Sequence, residues 1–69
     1  MLNNDPPSGT PVRFLQSFRN VSVNELGTLV RPLRKYPTES ANDQFEVRVR
    51  GELITVTRSQ IVEEKELSK

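Results

Sequence analysis

The strictest alternation of apolar and polar residues in the chain runs from Gln44 to Arg50. Apolar side chains occupy every second position there, which is the period of a β-strand that buries one face. A second β-branched segment, Leu53–Thr57, follows after Gly51-Glu52. A two-residue connection that begins with glycine predicts a β-hairpin with a type II′ turn. The facing pairs in this register are Arg50 with Leu53, Val49 with Ile54, and Val47 with Val56. Apolar partners thus share one face of the hairpin.

Weaker patterns on either side of the hairpin predict the remaining strands. The segment Val12–Phe18 alternates and predicts a first strand. Leu26–Arg31 predicts a second strand that ends at Pro32, because proline cannot donate a hydrogen bond to a neighbouring strand. The polar stretch Arg58–Gln60 predicts a 3₁₀ turn that leads into a brief last strand at Ile61-Val62. Five short strands without an amphipathic helix predict an all-β fold, a small five-stranded barrel.

The two ends of the chain differ in composition from its middle. Residues 1–11 hold three of the five prolines and predict a disordered Pro-rich arm. Residues 12–62 form the predicted barrel, and residues 63–69 predict a charged, solvated tail. The predicted core consists of Val12, Phe14, Phe18, Leu26, Val30, Phe45, Val47, Val49, Ile54, Val56 and Ile61.

Composition excludes several classes of chemistry. The 69 residues include no cysteine, histidine or tryptophan, so the chain lacks the usual zinc ligands, thiol nucleophile and general base. We therefore predict that the protein is not an enzyme and holds no metal or cofactor. No signal sequence or membrane-spanning run is visible in the sequence. The prediction is a cytoplasmic protein, or one that is peripheral on the soluble face of a membrane complex.

Basic residues are the best candidates for binding a partner. Arginine outnumbers lysine seven to three, which favours bidentate recognition of carboxylate or phosphate. The predicted partner-binding residues are Arg31, Arg34, Lys35, Tyr36, Arg48, Arg50 and Arg58. Two alternatives stay open: the arginines could instead pair with Glu46 and Glu52 on a solvated sheet face, and Tyr36 could cap the end of the barrel rather than anchor an interface.

The order of these patterns resembles that of small SH3-like accessory subunits. The resemblance rests on the glycine-led segment Leu26–Val30, the alternating segment Phe45–Val49 and the closing turn Thr57–Val62. Similar subunits include subunit IV of the photosystem I reaction centre and the variable chain of ferredoxin–thioredoxin reductase. The small SH3-like subunits of the photosynthetic NADH dehydrogenase-like complex are also similar. The resemblance implies an SH3-like barrel that docks, without catalysis, on a larger electron-transfer assembly.

Two functions compete on these grounds. The first is a protein-interaction module, an accessory or regulatory subunit that binds a larger complex or an acidic protein surface through a basic hairpin face. The alternative is a small nucleic-acid-binding barrel that uses the same arginines on phosphates. The formal net charge of +1 favours neither. In both cases the isolated protein is predicted to be a monomer.

Overall fold

The computed structural model describes residues 1–17 and 20–64, and the fold is all-β. The elements in chain order are β1 (Pro11–Phe14), β2 (Leu26–Arg34), β3 (Gln44–Val49), β4 (Glu52–Thr57), a 3₁₀ turn (Arg58–Gln60) and β5 (Ile61–Glu63). The described ranges contain no α-helix. The predicted 3₁₀ turn and short last strand are both confirmed.

All five strands belong to one antiparallel sheet. The strand order across the sheet is β4-β3-β2-β1-β5. The nine-residue strand β2 is central, because residues 26–28 pair with β1 and residues from Thr28 to Arg34 pair with β3. Within the described residues β4 and β5 do not pair with each other, so the sheet is open and has two edges.

The first two strands end at other residues than the pattern predicts. β1 ends at Phe14, and the remainder of its predicted span includes Phe18, which lies outside the described residues. β2 continues through Pro32 to Arg34. Pro32 lies opposite Phe45 between two register irregularities, in the half of β2 that has no pairing with β1. A proline is compatible with a strand at such a position, because no second neighbour needs its missing N–H.

The hairpin turn is Arg50-Gly51, so the predicted turn at Gly51-Glu52 is wrong. Both turn residues have positive φ angles, 50° and 83°, which is typical of a type I′ turn that matches the twist of the flanking strands. Val49 therefore pairs with Glu52, and Val47 pairs with Ile54. The predicted register is shifted by two residues. A shift of two preserves the face of every side chain, so the predicted inner face of the hairpin remains correct.

The core lies on the inner face of the sheet. Its buried apolar residues are Leu2, Val12, Phe14, Val21, Leu29, Phe45, Val47, Val49, Val56 and Ile61. Ile54 is partly buried and packs against them.

The predicted inner face of β2 is wrong. Gly27 and Leu29 point inward, whereas Leu26 is 52% exposed and Val30 is only half-buried. A Cβ atom at Gly27 would lie 2.8 Å from Cγ1 of Val47, so only glycine fits between the strands. The close packing at Gly27, rather than the positions of the apolar residues, therefore decides which residues in the first half of β2 face the core.

The N-terminal arm packs against the sheet, contrary to the predicted disorder. Leu2 is fully buried in the core. Backbone hydrogen bonds from Gly9 to Leu29 and from Leu29 to Thr10, each 2.8 Å, join the arm to β2. At the other end, Glu63 belongs to β5 rather than to a tail. The predicted tail otherwise lies outside the described residues, apart from residue 64.

Candidate functional site

Arg58 is the largest fully buried side chain of the described residues, with 1% of its surface exposed. The 3₁₀ turn after β4 directs it inward, where its guanidinium lies 5.0 Å from the centre of the Phe45 ring. Its Nε and Nη2 donate hydrogen bonds to Oδ2 of Asp43 at 3.0 and 2.8 Å. Nη2 also donates to Oδ1 of Asp5 at 2.8 Å, and Nη1 donates to the carbonyl oxygen of Leu2 at 3.1 Å. We call Arg58, Asp43, Asp5 and Leu2 the buried arginine cluster.

Asp43 supplies the buried negative charge of this cluster. Burial alone would raise the pKa of its carboxyl, but hydrogen bonds from the backbone N–H groups of Ser40 and Tyr36, together with Arg58, outweigh that effect. The pKa of Asp43 therefore lies below its ordinary value. Desolvation likewise opposes the charge of Arg58, yet the bonds to Asp5 and Asp43 raise its pKa above the ordinary value. The pair is charged, and no buried side-chain polar atom of the described residues lacks a hydrogen-bond partner.

Asp5 connects the N-terminal arm to this cluster. Its carboxylate accepts hydrogen bonds from Lys35 and from Arg58, and these two cations, Lys35 foremost, hold the pKa of Asp5 below its ordinary value. Asn4 extends the attachment, because its N–H donates to Oε1 of Glu39 at 3.3 Å. The first five residues are thus tied to the 35–43 loop and to the 3₁₀ turn.

The prediction that Arg58 binds a partner from an exposed surface is wrong. A buried guanidinium whose donors already reach two carboxylates and several carbonyl groups has no accessible donor for another protein. Its role in the structure is to join residues 1–5 to the sheet. The only sequence signal for this role is a pair of aspartates, Asp5 in the arm and Asp43 in the loop. Nothing in the local pattern relates them to Arg58.

Other predicted partner-binding residues form ion pairs within the chain. Arg31 donates from Nε to Oε1 of Glu46 at 3.0 Å, which matches the cross-strand pairing weighed from the sequence. Arg50, in the hairpin turn, pairs with Glu25, and Lys35 pairs with Asp5. The exposed pairs contribute little stability. They do, however, occupy the cations that a phosphate or an acidic partner would otherwise meet.

Arg48 differs from these cations. It is exposed on the outer face of β3, and the described residues provide no carboxylate within ion-pair distance of it. Thr28 of β2 lies opposite Arg48 on one side, and Leu53 of β4 lies opposite it on the other. Leu26 lies two positions before Thr28 and shares its face. We call Leu26, Thr28, Arg48 and Leu53 the outer patch.

The outer patch combines one cation with exposed apolar surface. Leu26 is 52% exposed and Leu53 is 50% exposed. Isolated exposed leucines are common, but here both lie on the same outer face as an arginine that has no acidic partner in the described ranges. Arginine beside apolar side chains is typical of protein–protein interfaces.

Arg34 and Tyr36 lie beyond this patch, at the other end of β2. The guanidinium of Arg34 stacks 5.5 Å from the centre of the Tyr36 ring. Tyr36 is 39% exposed, so its ring is partly open to solvent rather than enclosed at the end of the fold. Arg34 pairs with Gln44 across the sheet, which places it on the same outer face as Arg48. The seven predicted residues thus fall into three groups. Arg58 is buried. Ion pairs on the surface engage Arg31, Lys35 and Arg50, and exposed positions without an ion pair in the described residues are Arg34, Tyr36 and Arg48.

The described residues include no group of three or more acidic, histidine or cysteine side chains that could bind a metal ion. A cavity of about 280 Å³ lies at the hairpin end of the sheet, and its walls include Val21, Val49 and Ile54. Its charged lining residues are Arg50 and Glu52, and Arg50 is already paired with Glu25. Within the described ranges, no helix has the length and apolar character needed to cross a membrane.

Comparison with protein-family models, with curated proteins and with solved structures gives no match for this chain.

Proposed function

We propose that this protein is a non-catalytic interaction module that docks on a larger protein complex through the outer patch. The observation that carries the proposal is Arg48, an exposed arginine that has no acidic partner in the described part of the chain. Exposed Leu53 lies directly opposite it on β4, and exposed Leu26 lies diagonal to it on β2. The partner surface it fits is apolar and carries a carboxylate opposite Arg48.

The strand order supports an SH3-like assignment of the fold. The order β4-β3-β2-β1-β5, a long β1–β2 connection, a two-residue β3–β4 turn and a 3₁₀ turn before the last strand are the features expected of that class. By the resemblance given above, the larger complex is an electron-transfer assembly of the photosynthetic type. The module is then an accessory subunit on the soluble face of that assembly.

The pairing of the other cations favours a protein over a nucleic acid as partner. Arg31, Lys35 and Arg50 each have a carboxylate of their own chain, and Arg58 is buried. A phosphate-binding surface needs several unpaired cations, because affinity for nucleic acid depends on the number of phosphates that are neutralised. Arg34 and Arg48 alone remain of the predicted basic residues, and they lie toward opposite ends of β3.

A capture experiment tests the proposal. The full chain, immobilised, is exposed to an extract of the native host, and we expect a stoichiometric protein partner to be retained. Arg48→Glu should remove most of that partner, because it places like charges across the interface. Arg34→Glu is the matched control, since it makes the same charge change on the same face but outside the outer patch. Equal loss in both variants would indicate a response to net charge and would contradict docking at the patch.

A labelled single-stranded oligonucleotide provides the other arm of the test. We expect no binding at low salt. Binding that weakens steeply as salt is added would indicate counterion release and would support the nucleic-acid alternative instead.

A further inference from the structure

The two edges of the sheet are protected to different degrees. The edge strand β5 has three residues, and acidic side chains at residues 63 and 64 lie at its end. The other edge strand, β4, has six residues, Glu52–Thr57, and pairs with β3 without a register irregularity. It contains no proline and no lysine or arginine. Charges, prolines, bulges and shortness are the means by which natural sheets prevent edge pairing, and β4 has only one charge, at its first residue.

The peptide groups that β4 presents outward can be identified from the hairpin. In a two-residue hairpin the flanking residues, here Val49 and Glu52, exchange both backbone hydrogen bonds, and bonded positions alternate from there. The N–H and C=O groups of Leu53, Thr55 and Thr57 therefore face away from β3. The N–H of Thr57 donates to Oε1 of Gln60 at 2.9 Å. No described strand pairs with Leu53 and Thr55 on this side.

These two residues define a self-complementary register. If β4 pairs antiparallel with β4 of a second copy about a twofold axis at Ile54, Leu53 of each copy lies opposite Thr55 of the other. Each such pair exchanges two hydrogen bonds, so all the outward groups of Leu53 and Thr55 are used. Glu52 lies opposite Val56 in this register, so no two carboxylates face each other directly.

The inner side of the edge is also suited to this pairing. In this register the two Ile54 side chains meet at the axis on the inner face of the combined sheet. Ile54 is only partly buried in one copy, and the cavity of about 280 Å³ adjoins it. Pairing would therefore add apolar contact at Ile54, one of the residues that line this cavity.

We propose that the protein forms a symmetric dimer through antiparallel β4–β4 pairing centred on Ile54. This inference goes beyond the proposed docking function and is independent of it. The sequence alone predicts a monomer, and the free β4 edge is the reason to propose otherwise. The dimer is weak, because two strands of six residues form a small interface.

Sedimentation equilibrium of the full chain tests the proposal over about 10 µM to about 1 mM, the range in which a small interface dissociates. We expect a concentration-dependent monomer–dimer equilibrium for the wild type. Thr55→Lys should weaken dimerisation about tenfold or more, because an edge lysine blocks strand pairing. Thr28→Lys is the matched control: it adds the same side chain to the same outer face, but on a central strand, and should leave the dimer constant unchanged.

Amide hydrogen exchange of the wild type gives a readout that needs no variant. We expect the amides of Leu53 and Thr55 to exchange more slowly at the high concentration than at the low one. A monomer at every concentration would overturn the proposal. The β4 edge would then be available for pairing only with a strand of a different protein. A dimer that is unaffected by Thr55→Lys, or one without protection at Leu53 and Thr55, would overturn it in favour of another surface.

Discussion

Arg58 and Arg48 lie ten positions apart, in the 3₁₀ turn and in β3, yet the fold gives them opposite environments. Arg58 is enclosed among two aspartates and the N-terminal arm, and it holds distant parts of the chain together. Arg48 is exposed beside Leu53 and has no carboxylate partner in the described residues. The number of partners within the chain, rather than residue type, separates a structural arginine from a candidate binding arginine.

The largest expected effect is the loss of the buried arginine. Arg58→Met keeps much of the side-chain length but leaves the carboxylate of Asp43 buried and without its cation. We expect a loss of about 3–5 kcal/mol in the free energy of unfolding, measured by urea denaturation. Arg48→Met is the control and should change this free energy by less than about 0.5 kcal/mol. Comparable losses in the two variants would contradict the distinction between them.

A smaller loss is expected when the apolar end of the same cluster is removed. Leu2→Ala deletes a fully buried side chain of the core, and we expect a loss of about 2–4 kcal/mol, because the vacated space is only partly refilled. Met1→Ala is the matched control, since Met1 is exposed. A Leu2→Ala variant as stable as the wild type would show that the arm does not contribute to the fold.

The pH dependence of stability should follow the cluster. The pKa values of Asp5 and Asp43 are lower in the folded chain than their unfolded value of about 3.9. The unfolded chain therefore takes up protons first, and the stabilisation is present above about pH 4 and lost as the pH falls below it.

We expect thermal unfolding midpoints to be similar between about pH 7 and pH 5 and to decrease below about pH 4. Asp43→Asn should make this decrease shallower, because it removes one of the carboxylates whose pKa is lowered in the folded chain. An equally steep decrease in that variant would assign the effect to other carboxylates. The Arg13–Glu64 pair also contributes, since Arg13 holds the pKa of Glu64 below its ordinary value.

The smallest effect is expected for an ion pair on the exposed face. Arg31→Ala removes the contact with Glu46, which should cost about 0.2–1 kcal/mol and less at high salt. Urea denaturation at low salt and near 1 M salt measures this difference. A salt-independent loss as large as that of Arg58→Met would remove the contrast between the buried and exposed arginines.

The sequence predicted the hairpin well where the pattern was strict. Alternation in β3 assigned Val47 and Val49 to the inner face, and the two-residue error in register left that face unchanged. The prediction of the inner face failed in β2, where Leu26, Leu29 and Val30 do not alternate. There the close contact at Gly27, which involves side chains of β3, decided which residues point inward.

The candidate site was predicted in part for a related reason. The exposure of Arg48 could be identified, because a solvated strand face is visible in the period-two pattern of β3. Arg34 and Tyr36 lay beyond the predicted second strand, so no strand pattern predicted their exposure. The burial of Arg58 could not, because it depends on Asp43 and Asp5, which are 15 and 53 positions away. The composition of the arm predicted disorder. The arm is ordered instead because burial of Leu2 in the core offsets the entropy cost of ordering it.

The local features of this protein follow from its sequence alone: an all-β chain, a hairpin with one apolar face, a 3₁₀ turn before the last strand, and no residues for thiol or imidazole chemistry. Contacts between distant segments place the arm in the core, make Arg58 a structural residue and, within the described residues, leave Arg48 and the β4 edge without partners. Local patterns record the periodicity of burial within one strand. Charge satisfaction and close packing depend on contacts between residues far apart in the chain, which no local pattern contains.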